Sequence, residues 1–181
     1  MATKIKVNTY CEVENPDGKI KLPREVQITL PAEKISKNGH QWTSVSAGVE
    51  ASNRAIERGV PVLYMYFGHP CWDDPVVTGM IPVTRLTKLV ENPDSSVEFF
   101  GDMEYGTDKL VNRTGLLVGG GIAAGVDFDC SIRAAADVDW GWNEMDKLSI
   151  PEGDFPMVID WLPPDQQPGI PVTKLTNVLR W

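Results

Sequence analysis

The densest run of reactive side chains is His69-Pro70-Cys71-Trp72-Asp73-Asp74, with an imidazole, a thiol and two carboxylates in six residues. By type, His69, Cys71, Asp73 and Asp74 are metal ligands or acid–base groups. A histidine two residues from a cysteine can draw the thiol toward thiolate. The spacing argues against zinc: no CxxC or HxxxH pair is present, and His40 is the only other histidine. The plainer reading is a Pro-rich surface turn.

Two Asp-x-Asp pairs come next, Asp127/Asp129 and Asp137/Asp139, with Arg133 between them. On a strand, carboxylates at i and i+2 share a face about 7 Å apart, which suits Ca²⁺ or an acid–base pair. These five residues are read as a ligand-binding or channel-lining face. The alternative is the solvated side of an amphipathic strand. A third candidate, Gly119-Gly120-Gly121-Ile122-Ala123-Ala124 after the apolar stretch 116–118, has the spacing of a dinucleotide fingerprint. That chemistry needs a helix after the glycines and an acid about 20 residues on. Neither is expected from the residues that follow, so the glycines read as a bend or bulge and no cofactor is implied.

The element that must position these groups is the stretch 122–142. Every even-numbered residue from Val126 to Trp142 is apolar, and most odd-numbered ones are polar or small. Strict period two predicts a strand with one dry and one wet face. Without Gly, Pro or Asn between Val126 and Trp140, it reads as one very long strand.

Elsewhere, residues 5–13 alternate as a strand. Asn15-Pro16-Asp17-Gly18 is a hairpin turn, and 19–30 returns. Residues 60–67 read as a buried strand, and 97–100 and 116–118 as short ones. The segment Ser46–Arg58 fits two patterns: an Ala-rich helix stopped by Gly59, or a strand alternating through Val45, Ala47, Val49 and Ala51.

A repeat bears on that choice. Ile81-Pro82-Val83-Thr84-Arg85-Leu86-Thr87 recurs as Ile170-Pro171-Val172-Thr173-Lys174-Leu175-Thr176 at an offset of 89 residues. Shorter matches (47–50 on 136–139, 60–63 on 155–158) extend it. The expected organisation is a tandem duplication of β-rich units, 1–92 and 93–181, which can pack as one domain. It favours strand over 45–51. The predicted fold class is mainly β, an antiparallel sandwich or barrel with one or two short helices.

Composition narrows the function. A net charge of −8 and a pI near 4.7 argue against nucleic acid as a partner of the whole surface. No window has the ~18 apolar residues of a membrane span, and no secretory signal is visible, so a cytoplasmic protein is expected. The three cysteines are odd in number and widely spaced, which speaks for free thiols. With no complete catalytic set, the leading expectation is a non-catalytic, self-associating assembly protein, of the kind that builds rings, tubes or virions. A β-barrel that binds or isomerises an apolar molecule is the second expectation. A metal- or thiol-dependent enzyme using the 69–74 loop is the third.

Overall fold

The computed structural model describes residues 4–15, 17–34, 40–59, 63–68, 81–106, 109–139 and 146–162. Strands β1 (Lys4–Asn15) and β2 (Gly18–Leu30) form the expected hairpin, closed by the Asn15–Gly18 pair. Then come β3 (His40–Ser44), α1 (Ser46–Arg58), β4 (Tyr64–Phe67), β5 (Ile81–Glu91), β6 (Val97–Met103) and α2 (Lys109–Ala123). Four short strands follow: β7 (Asp129–Arg133), β8 (Asp137–Asp139), β9 (Asp146–Ser149) and β10 (Val158–Leu162). The fold is mainly β with two helices, as its sequence predicts.

Seven strands make the large sheet, in the order β1-β2-β6-β5-β4-β10-β7, and β3-β9-β8 make a three-stranded one. Neighbours are antiparallel except β4 with β10 and β3 with β9. The large sheet takes strands from both sides of residue 92. Its core holds Val26, Ile28, Met65, Val83, Leu86, Phe99, Ile159 and Trp161, all nearly sealed from water.

Helix α1 packs on β5, and α2 packs on β5 and β2. The buried residues of α1 are Gly48, Val49, Ala51, Ser52 and Ala55, a helical stripe of small side chains. Strand was expected over 45–51, and the structure corrects this. Period two fits those residues only because most are small, whereas the helical stripe fits a packed neighbour. A Cβ on Gly48 would lie 2.9 Å from Met157 Cβ, so the backbones meet closely there. Gly59 ends the helix in the left-handed conformation at φ 68°, and its N–H donates to Ile56 O at 3.0 Å. Two polar side chains fix the docking. Ser52 Oγ accepts from Met157 N–H at 2.7 Å. Asn53 donates to Leu89 O at 2.8 Å and accepts from Leu89 N–H at 2.9 Å.

The single long strand is also corrected. Residues 122–123 end α2, 124–128 are irregular, and β7 and β8 belong to different sheets. Between them Ala134, Ala135 and Ala136 are all buried, which a half-wet strand does not allow. Residues 116–118, read as strand, lie within α2, as do Gly119, Gly120 and Gly121, read as a bend. Tertiary contact explains Gly115, Gly119 and Gly121, but not Gly120. A Cβ on Gly115 would lie 2.5 Å from Glu104 O, one on Gly119 would overlap the Tyr105 hydroxyl, and one on Gly121 would lie 2.7 Å from the Phe128 ring. Gly115 and Gly119 leave one side of the helix bare for the 104–105 segment, and Gly121 leaves another side bare for Phe128.

The duplication is not shown. Residues 47–50 are helical while 137–139 are strand, and the second copy of the heptapeptide, 170–176, lies outside the described residues.

Candidate functional site

Where β4, β10 and β7 lie side by side, the large sheet carries a charge pair almost out of reach of water. Register puts Asp160 of β10 directly across from Ser131 of β7, and Trp161 across from Cys130 on one side and Phe67 on the other. Side chains alternate between faces. Cys130, Ile132 and Trp161 pack toward the core, and Ser131, Arg133 and Asp160 take the opposite face.

On that face the Asp160 carboxylate is fully buried. Its Oδ2 accepts from Arg133 Nε at 2.8 Å and its Oδ1 from the Tyr66 N–H at 3.0 Å. Arg133 Nη2 donates to Tyr64 O at 3.1 Å, and the guanidinium lies 5.0 Å from the Tyr66 ring centroid. Arg133 thus ties all three strands together. A buried ion pair carries a desolvation cost, so pairs in this setting are functional candidates as well as structural ones.

The other face is held by Trp161, whose Nε1 donates to Thr84 Oγ1 at 2.9 Å; the Thr84 hydroxyl in turn lies 3.2 Å from Met103 Sδ. Phe128 meets the Trp161 ring edge-on, with centroids 6.1 Å apart. Burial, helped by the carboxylates of Asp129, Asp160 and Asp127, pushes the Cys130 thiol well above its ordinary range, so it stays neutral. A neutral thiol packed on the core is a poor nucleophile.

The chain leaves β4 at Gly68, whose N–H donates to Trp161 O at 2.9 Å and whose φ is 103°. The next residue in sequence is His69. The predicted loop residues His69, Cys71, Asp73 and Asp74 lie outside the described residues.

The five-residue face is not assembled as one surface. Asp127 is exposed ahead of β7, Asp129 and Arg133 are on β7, and Asp137 and Asp139 are exposed on β8 in the other sheet. Arg133 pairs with Asp160, 27 residues on in the chain, at 2.8 Å. Among the described residues, no group of three or more His, Cys, Asp or Glu is placed to hold a metal ion, and no helix is long and apolar enough to cross a membrane.

Sequence reasoning missed Asp160 and Ser131 as site residues. The signal for Asp160 was present. It is the one charged residue in Met157-Val158-Ile159-Asp160-Trp161-Leu162, and a carboxylate inside an apolar strand must be paired. Ser131 carried no comparable mark; only the register across β10 singles it out.

No family model and no curated protein sequence matches the chain. Among solved structures, the chain is similar to the bacteriophage T4 capsid assembly protease, gp21. The likeness covers 90% of this chain and 94% of that one, with a TM-score of 0.56 and 12% identity. At that identity the chain shares the overall fold of this capsid assembly protease.

Proposed function

We propose that this protein acts in virion assembly as a serine peptidase, with Ser131 as nucleophile and His69 as its base. The observation that carries the reading is Ser131 facing the buried Asp160, across β10 from β4, in a fold shared with a capsid assembly protease. Strands β4 and β7 flank β10, so their backbones are two strand spacings apart, about 10 Å. His69 is bonded to Gly68, and consecutive α-carbons are about 3.8 Å apart. His69 comes three residues after Tyr66, the β4 residue level with Asp160 and Ser131, and the labelling experiment below tests whether its imidazole serves Ser131. The chain has two histidines, and the other, His40, belongs to β3 in the smaller sheet. Asp160 accepts from Arg133 Nε and the Tyr66 N–H, and is assigned a positioning role rather than that of the base.

In this reading Ser131 Oγ attacks the peptide carbonyl carbon as His69 takes its proton. The same proton then goes to the leaving amine, and water hydrolyses the acyl-enzyme. Asp160 and Arg133 hold the three strands in register, which makes them positioning residues.

A fluorophosphonate probe tests this directly. Serine attack on phosphorus expels fluoride and leaves a stable adduct. The folded wild-type chain is expected to be labelled at Ser131. Ser131→Ala is expected to abolish labelling, and His69→Gln to slow it by about 100-fold or more. A folded wild-type protein that stays unlabelled, or is labelled elsewhere, would refute the peptidase and leave a non-catalytic assembly role.

A further inference from the structure

Strand β1 is the outermost strand at one end of the large sheet. One side pairs with β2 along its whole length, and among the described residues no strand lies beside the other. An open edge of twelve residues is long, and its unpaired N–H and C=O groups are a template for another strand.

The side chains along this edge are not arranged at random. Lys4 and Lys6 are exposed at one end, and Glu12 and Glu14 at the other. On the opposite face Ile5 and Val7 pack on the core, Cys11 is half-buried and Val13 is buried. Between the two arms the ladder is irregular, with register shifts from Val7 to Thr9 and from Thr9 to Tyr10. Asn8 Nδ2 donates to Glu25 Oε1 at 2.9 Å and the Glu25 N–H donates to Thr9 Oγ1 at 3.1 Å, which pins the irregularity in place.

We propose that β1 pairs with β1 of a second copy of this chain, antiparallel, about a two-fold axis through Thr9. That register sets Lys4 opposite Glu14 and Lys6 opposite Glu12, each twice by symmetry. It also sets Ile5 opposite Val13 and Val7 opposite Cys11, so the apolar face continues from one copy to the next. The bulge falls on the axis, and the regular arm 4–7 of one copy meets the regular arm 11–14 of the other.

Other pairings are worse. A parallel pair stacks lysine on lysine and glutamate on glutamate. A one-residue slip turns the charges onto the apolar face. A two-residue slip loses half the ion pairs. Within the hairpin Glu12 already lies opposite Lys21 and Glu14 opposite Lys19, and Lys19 Nζ is 3.9 Å from Glu12 Oε2 with both side chains exposed, so the new pairs add to weak, solvent-screened ones.

The test is sedimentation velocity on the full chain at about 0.1 M salt. The wild-type protein is expected to dimerise through β1. Lys4→Glu with Lys6→Glu, or Glu12→Lys with Glu14→Lys, is expected to weaken the dimer roughly tenfold or more. An equimolar mixture of the two folded double variants is expected to recover it, because each presents the complement of the other. Circular dichroism confirms that each variant is folded. A wild-type protein that stays monomeric, a dimer indifferent to both reversals, or a mixture that fails to recover would each overturn the proposal. The peptidase reading stands or falls separately, since Ser131→Ala leaves this edge untouched.

Discussion

Arg133 and Asp160 have side chains 11% and 0% exposed, so neither charge can turn to water if its partner is lost. Arg133→Ala leaves a buried carboxylate without its cation and is expected to cost about 3–5 kcal/mol, read from urea unfolding. Replacing both charges, Arg133→Met with Asp160→Leu, is expected to recover most of that loss. Fluorophosphonate labelling of Ser131 should not recover with it. If the doubly apolar chain is as stable as wild type and is still labelled at the wild-type rate, the pair has no positioning role. If it is no more stable than Arg133→Ala, the cost lies in lost packing rather than in the stranded charge.

At the scale of the elements, the glycines of α2 separate two effects that usually act together. A glycine inside a helix costs about 1 kcal/mol relative to alanine. Gly120 has nothing within 4 Å of a built Cβ, so Gly120→Ala is expected to stabilise by up to about 1 kcal/mol. At Gly115 the same change drives a methyl group onto the Glu104 carbonyl, and a net loss of about 1–3 kcal/mol is expected. Chemical denaturation of the two variants reads the contrast, and equal effects at both sites would contradict the packing described above. The same helix shows where sequence reading stops. Gly59 as a helix end, and the Asn15–Gly18 turn, are local signals that local sequence displays. Gly115, Gly119 and Gly121 take their meaning from Glu104, Tyr105 and Phe128, which lie outside the helix. The alternation over 122–142 misled for a related reason. Ala134, Ala135 and Ala136 are small enough to be buried together, so the break between β7 and β8 carries no Gly or Pro to announce it. Asp160 was readable as a misplaced charge. Its partner was not, because pairing across strands is a property of register rather than of spacing.

At the scale of the whole molecule, the order of strands in the large sheet differs from their order in the chain. The β1–β2 hairpin closes between Asn15 and Gly18, whereas the β4–β10 contact joins Phe67 to Trp161. Loop-closure entropy makes distant pairings late ones. In pulsed hydrogen exchange during refolding, the amides of β1 and β2 are expected to gain protection first. The Tyr66 and Gly68 amides, whose acceptors are Asp160 and Trp161, are expected to gain it last. Simultaneous protection would refute this order. The consequence concerns timing. Until β10 arrives, Ser131 has no Asp160 across from it and Gly68 has no neighbour to hold the exit of β4. On the proposed reading, a growing or truncated chain that ends before Val158 carries Ser131 without Asp160 across from it, and labelling of Ser131 is expected only once β10, the last of the described strands, is in place.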